Sequence, residues 1–305
     1  MHEGSRRAII AALLANLGIA ISKVFAFVLT RSASMLAEAI HSFADTGNQA
    51  LLILGGRRAK RAPDAAHPFG YGTERYFWAF IVALVLFTLG GLFAIYEGIH
   101  TRRHPHELES PIVAVIVLVL AITLESFSLR TAVREATPSR HGRSWRVFIR
   151  ETRNPELPVV LLEDIGALTG LVLALIGVVL AWTTGAEQWD ALGSISIGTL
   201  LCIIAVFLAV EMKSLLIGES ADPAAEAAVR AAALDGPEAR SIIHLRTMHL
   251  GPEEILVAAK VEMTSGDLPA VAADIDAIEA RIRAAVPEAA TIYLEPDLRR
   301  PTAID

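Results

Sequence analysis

The chain has 305 residues, 53% of them hydrophobic and 20% charged, with a formal net charge of −6 and a positive mean hydropathy. That is too apolar for an ordinary soluble domain and points to several membrane spans. Residues 1–218 carry 19 Lys and Arg against 17 Asp and Glu, whereas residues 219–305 carry 8 against 16. Such a break predicts a membrane domain over 1–218 and a soluble acidic domain over 219–305. An acidic tail argues against a nucleic-acid partner and favours the handling of cations. Cys202 is the single cysteine, which excludes an intrachain disulfide and a thiolate metal cluster.

A bilayer core about 30 Å thick needs roughly 20 helical residues. Six segments meet or approach that length: 8–30, 33–56, 76–99, 111–133, 157–182 and 190–217. Arg6 and Arg7 precede an apolar run too long for a signal core and without a small-residue cleavage pattern, so the first helix is expected to be retained. The short link "TRSAS" makes the first two helices an antiparallel pair. One set of connections, with Arg6, Arg7 and Lys213, holds fifteen basic residues; the other holds Arg31, Arg102 and Arg103. By the positive-inside rule both termini and the two long basic loops are expected in the cytoplasm. Within loop 135–156, "SWRVFIRE" reads as a solvated basic connector, with Trp145 and Phe148 dipping into the headgroups as the alternative.

From residue 219 the pattern is helix, strand, strand, helix, strand. "DPAAEAAVRAAALD" and "LPAVAADIDAIEARIRAAV" read as helices. "ARSIIHLRTMHL" and "EEILVAAKVEMT" alternate around the turn "GPEE", and "ATIYLEPD" is a final strand. The order fits a small α+β sandwich with helices on one face of a sheet.

The second segment, "EAIHSFADTGNQ", places Glu38, His41, Asp45 and Asn48 on one helix face. A charge at the centre of a membrane helix costs about 2.5–3.5 kcal/mol on insertion scales. The fifth segment adds the adjacent acids Glu163 and Asp164. His41 and Asp45, four apart, can present a nitrogen and an oxygen to one ion. With Asp164 from a facing helix the set suits Zn²⁺, and also Co²⁺, Mn²⁺ or Fe²⁺. Pairing of these groups across helices without any ion is the competing structural explanation. Asn48 is a candidate amide ligand or a support for Asp45, and Glu38 a candidate guard of the outer mouth. Lys23 in the first helix can snorkel or neutralise an acid and is assigned no site.

These residues carry a resemblance. "HSFAD" in the second helix, "PDAAHPFGYGTERYFW" after it, the buried Asp of the fifth helix and "LRTMHLGPEEILVAAKVEM...IYLEPD" in the tail are similar to the cation diffusion facilitator family. The match lies near its mitochondrial and bacterial zinc-transporter-like branch and spans nearly the whole chain. It implies a homodimer of six-helix protomers, each a membrane all-α bundle followed by a cytoplasmic ferredoxin-like α+β domain. It also implies export of a divalent metal, usually zinc, in exchange for protons.

The family's transport site takes two residues four apart on helix two and two four apart on helix five. The first pair matches His41 and Asp45, and the second has its Asp at Asp164. The position four earlier, often His, is Val160, so Glu163, Asn48 or a water is left to complete the sphere. A second site in the loop after helix two is matched by Asp64 and His67, with Tyr71 at its third position. A tight "HPFGYG" turn explains the same residues structurally. In the tail, Ile243, Lys260 and Tyr293 stand where some relatives have histidines, and only Glu295 keeps a carboxylate. No binuclear zinc site is therefore expected there, and the tail is expected to serve dimer contact. His244 and His249 should face opposite sides of their strand. His100, His104 and His106 are expected on an exposed outer loop.

The combined expectation is a metal/proton antiporter in a bacterial inner (plasma) membrane. Its partners are a divalent cation, protons, the lipid bilayer and a second copy, with no resident cofactor. A membrane metallo-enzyme finds little support, since no His-Glu-x-x-His and no nucleophile setting is present. A metal sensor or scaffold without transport, and a passive channel, are the remaining rivals.

Overall fold

A computed structural model describes residues 3–105, 110–140 and 142–297, without the side chains of the first helical turns. It divides into two compact units, Met1–Gly56 with Phe77–Lys213, and Arg57–Tyr76 with Ser214–Asp305.

The first unit is built of long helices. They are α1 (Glu3–Thr30), α2 (Ala33–Arg58), α3 (Glu74–Val85), α4 (Phe93–Arg103), α5 (Pro111–Ser139), α7 (Glu156–Thr184) and α8 (Gln188–Ile217), with the short α6 (Trp145–Glu151) before α7. A π-helical stretch, Leu86–Leu92, joins α3 to α4 in one continuous rod. Among the described residues four rods are long and apolar enough to cross a bilayer: Glu74–Arg103, α5, α7 and α8. The fully described apolar part of α1, Leu17–Thr30, is shorter than a span. α2 is long enough, but Glu38, His41, Asp45 and Asn48 interrupt its apolarity.

Small residues set the helix spacing. A Cβ on Gly98 would stand 2.7 Å from the carbonyl oxygen of Ala191, and one on Gly198 would stand 2.7 Å from the Ile95 nitrogen. The rod containing α4 therefore lies backbone-to-backbone on α8, as expected where apolar contact alone does not drive association. At the start of α2, Asp190 of α8 supplies the cap. Its carboxylate accepts from Ser32 Oγ at 2.7 Å and from the backbone amides of Ala33 at 2.6 Å and Ser34 at 3.3 Å. These bonds satisfy N–H groups that a helix start leaves orphaned and place a negative charge at its positive end.

The segment "SWRVFIRE" is not a solvated connector. Ser144 caps it by accepting from Val147 N, and the helix buries Phe148 completely against Ala136 and Leu161. Arg140 lies over the Trp145 ring at 4.8 Å. The aromatic residues turn inward on α5 and α7 because the apolar area available there outweighs contact with headgroups.

In the second unit α9 (Pro223–Leu234), β1 (Ala239–Gly251), β2 (Glu254–Met263), α10 (Leu268–Ala285) and β3 (Thr291–Asp297) follow the order the pattern predicts. The two helices start on Asp222 and Asp267, each accepting from an amide three residues on. β1 and β2 form an antiparallel hairpin and β3 lies parallel to β2, giving the order β1-β2-β3. The core gathers Val229, Val257, Val261, Ile278, Ile282 and Ile292. Loop 57–76 packs into this unit, where Gly72 lies so close to Leu250 and Gly251 that no side chain would fit.

Candidate functional site

Four helices of the first unit line a small, partly open cavity of about 30 Å³, room for at least one water-sized occupant. α2 contributes Ser42, Asp45 and Gln49, while α7 contributes Val160, Glu163 and Asp164. Ile19 of α1 and the pair Glu125 and Ser128 of α5 complete the lining. Four carboxylates around so small a space make an acidic pocket suited to a cation.

His41 stands beside it. Its Nε2 lies 3.4 Å from Asp45 Oδ2 across one helical turn, and the ring is almost wholly buried. Among the described residues neither ring nitrogen has a hydrogen-bond partner, and Asp45 Oδ1 is likewise without one. The Nδ1 edge faces Gly90 in the π-helical stretch, where a Cβ would come within 3.7 Å. π-helical turns in membrane and soluble helices often mark functional positions. Buried polar atoms left unpaired cost about 1–3 kcal/mol each, and an imidazole nitrogen beside a carboxylate oxygen is a donor pair that suits a cation.

The acids of α7 have local partners. Asn48 Nδ2 donates to Glu163 Oε1 at 2.8 Å, so the amide supports Glu163 and not Asp45. Ser128 Oγ donates to Asp164 Oδ2 at 3.1 Å. Asp45, Glu163 and Asp164 thus line one cavity, but among the described residues no three His, Cys, Asp or Glu side chains are gathered tightly enough to hold a metal. Val160 also lines the cavity, one turn before Asp164, with an apolar side chain that donates nothing. Glu38 does not stand at an open mouth. It is fully buried and its Oε2 takes the Lys23 ammonium at 3.0 Å.

Glu125 is the cavity residue that the reading of the sequence passed over. It is a lone acid in the apolar run "AITLESFSL", and the cost argument applied to Glu163 and Asp164 singles it out equally. Asp190 was also passed over, since its role as a cap depends on a helix 157 residues away in sequence.

The loop pair is occupied by its own turn. Asp64 Oδ1 accepts from the amides of Ala66 and His67 at 3.0 and 2.8 Å, and Oδ2 accepts from the Tyr71 hydroxyl at 2.6 Å. His67 Nδ1 is 3.6 Å from Asp64 Oδ1, and its ring rests on Tyr71 at 4.4 Å. The Tyr71 hydroxyl and the His67 amide hold Asp64 below its usual carboxylate range, and Asp64 in turn raises the Tyr71 phenol. Tyr71, at the third position of the proposed loop site, is therefore a donor to the carboxylate.

In the tail Lys260 pairs with Asp297 at 2.9 Å and Glu295 at 3.0 Å, which raise the pKa of its ammonium. Glu295 is thus the partner of a lysine. His244 is exposed and His249 buried, on opposite faces of β1. The rings of His100 and His104 lie 4.9 Å apart, tilted by 33°, at the exposed end of α4, while His106 lies outside the described residues.

The sequence is similar to those of known proteins. A family model described as the cation efflux transmembrane domain matches residues 9–217. A mitochondrial proton-coupled zinc antiporter of Xenopus laevis is 34% identical over 262 residues, 85% of this chain and 47% of that protein. Metal tolerance protein C4 of Arabidopsis thaliana is 34% identical over 225 residues, 72% of this chain and 49% of its own length. The zinc transporter ZitB of Pectobacterium atrosepticum is 25% identical over 256 residues, 84% and 75% of the two chains. The chain spans about half the length of the first two relatives.

Proposed function

This chain belongs to the cation efflux family, and we propose that it exports a divalent metal, with Zn²⁺ favoured, in exchange for protons. The observation that carries this reading is the acidic cavity at Asp45, Glu163 and Asp164 beside the buried ring of His41, whose nitrogens make no hydrogen bond among the described residues. The names of relatives as zinc transporters and proton-coupled antiporters support the choice of cargo and coupling ion.

The metal is substrate. His41, Asp45 and Asp164 bind it, and Glu163 or a water takes the place that Val160 leaves without a donor. Binding draws Asp164 off Ser128 and Glu163 off Asn48, and release returns each to its partner. Those hydrogen bonds give the empty site a stable alternative arrangement, which a two-state transport cycle requires. An imidazole and carboxylates must be deprotonated to ligate, so loading the metal releases protons and reprotonation from the far side expels it.

The same reading places six spans across a bacterial inner membrane with both termini in the cytoplasm, the basic loops on that side supporting the orientation. Residues 1–218 form the transport domain. Residues 219–305 form a ferredoxin-like domain that joins two copies into a homodimer. The αββαβ order with β3 parallel to β2 supports that fold. Asp64 and His67 act chiefly as the turn after α2, since the Asp64 oxygens are already taken.

A second reading, with Mn²⁺ or Fe²⁺ as cargo, is favoured by the oxygen-rich lining, in which Glu125 adds a fourth carboxylate and Val160 removes a nitrogen. The test is uptake of Zn²⁺, Mn²⁺, Fe²⁺ and Co²⁺ into proteoliposomes with and without a pH gradient. Gradient-driven zinc flux that disappears in D45A and D164A supports antiport at this site. Flux indifferent to the gradient would make the protein a channel, and no flux at all would leave a sensor or scaffold.

A further inference from the structure

Lys23 and Glu38 form an ion pair that the transport site does not use. The two side chains are 1% and 0% exposed, and the ammonium lies 3.0 Å from Glu38 Oε2 and 2.7 Å from Ser42 Oγ. Ser42 is also a wall of the acidic cavity, so Lys23 sits directly behind that wall. Glu38 precedes His41 by three residues and Asp45 by seven, which puts all three on one stripe of α2.

The pair is poorly explained as a structural device. Buried ion pairs are commonly no more stabilising than apolar residues of the same volume, and they hold best when every oxygen is satisfied. Here Glu38 Oε1 has no hydrogen-bond partner among the described residues. It points at α7, where Gly170 leaves the space: a Cβ there would stand 2.7 Å from that oxygen. Carboxylate and hydroxyl oxygens around a monovalent cation, with one oxygen free, make a donor set that a hard or borderline divalent cation would also accept.

We propose that Glu38 and Ser42 form a second cation station on the transport path, occupied in this structure by the tethered ammonium of Lys23, which exchanges with the transported metal. The proposal rests on the efflux reading above. A metal leaving Asp45 along the stripe reaches Glu38, and Lys23 swings past Ser42 to the carboxylates just vacated. The exchange keeps the buried charge nearly constant at each step, so no bare carboxylate is left in the hydrocarbon region. The long, flexible lysine stem lets the ammonium move without moving α1.

The experiment uses the full chain in proteoliposomes, with Zn²⁺ and Co²⁺ as probes and thermal unfolding measured in parallel. Wild type and D45A establish whether metal moves through the Asp45 site at all. K23M/E38Q replaces the pair by neutral groups of similar size, and K23E/E38K reverses it while keeping an ion pair. A purely structural pair leaves the uptake of every variant that folds unchanged. A cation station does not, and both variants are expected to stay folded while initial uptake falls by about tenfold or more. Folded variants with wild-type uptake would overturn the station and leave the efflux reading intact. If K23M/E38Q does not fold, the reversed pair decides by the same criterion, and if neither folds the pair is structural and the station is overturned. No D45-dependent flux in wild type would overturn the efflux reading and the station with it.

Discussion

Replacing Asp190 by alanine tests how α2, the helix that carries His41 and Asp45, is held at its start. The substitution removes three acceptor contacts, to Ser32 Oγ, Ala33 N and Ser34 N. Hydrogen bonds to a charged group are worth about 1.5–3 kcal/mol each, and loss of an N-cap typically costs about 1 kcal/mol. The full sum does not apply. Met35 N already donates to Ser32 Oγ, so the serine can serve as a substitute cap once Asp190 is gone. The net loss is therefore about 2–4 kcal/mol, or a fall in Tm of roughly 5–10 °C for a chain of this size. Asp190→Asn keeps one acceptor oxygen and should fall about half as far. The assay is thermal unfolding in detergent micelles followed by tryptophan fluorescence, with Trp189 adjacent to the substitution. An Asp190→Ala protein that unfolds within about 1 °C of wild type would refute the cap as an anchor of α2.

Val160→His supplies a nitrogen one turn before Asp164 on the cavity wall, and should tighten Zn²⁺ binding about tenfold in titrations with a fluorescent zinc competitor. Unchanged affinity would mean that Val160 does not face the bound ion. Gly198→Ala drives a methyl into the backbone of the facing rod, which cannot yield. It should cost about 1–3 kcal/mol and lower the yield of folded protein on size-exclusion chromatography. In the tail, Arg281 grips Glu238 at 2.8 and 3.2 Å and holds its carboxyl below the usual range. A depressed folded pKa means the contribution is fully present above the unfolded value near 4.3 and is lost as pH falls through the folded one. Amide protection factors in α9 and α10 of the full chain, corrected for the intrinsic slowing of exchange in acid, should therefore fall as pH drops below about 4.3, and Glu238→Gln should flatten that response.

The membrane character and the helix–strand order of the tail were legible in the sequence. Each follows from local periodicity and composition: runs of apolar residues for spans, alternation for β1 and β2, and Asp-Pro or Asp-Leu-Pro starts for the two tail helices. The polar stripe of α2 and the acids of α7 were equally visible, because an ionisable group in an apolar run stands out without any knowledge of its neighbours.

What only the tertiary structure decided is which of these groups meet. Asn48 supports Glu163 across helices, Glu125 joins the cavity from α5, Asp190 caps α2, and Lys23 neutralises Glu38. Phe148 likewise turns inward only because α5 and α7 offer it a surface. Sequence spacing orders side chains around one helix with a known period, but says nothing of the rotation and height of the helix beside it. Those are set by close backbone approach at residues such as Gly98 and Gly198, and that packing decides which buried acid finds a serine, an amide or an ammonium.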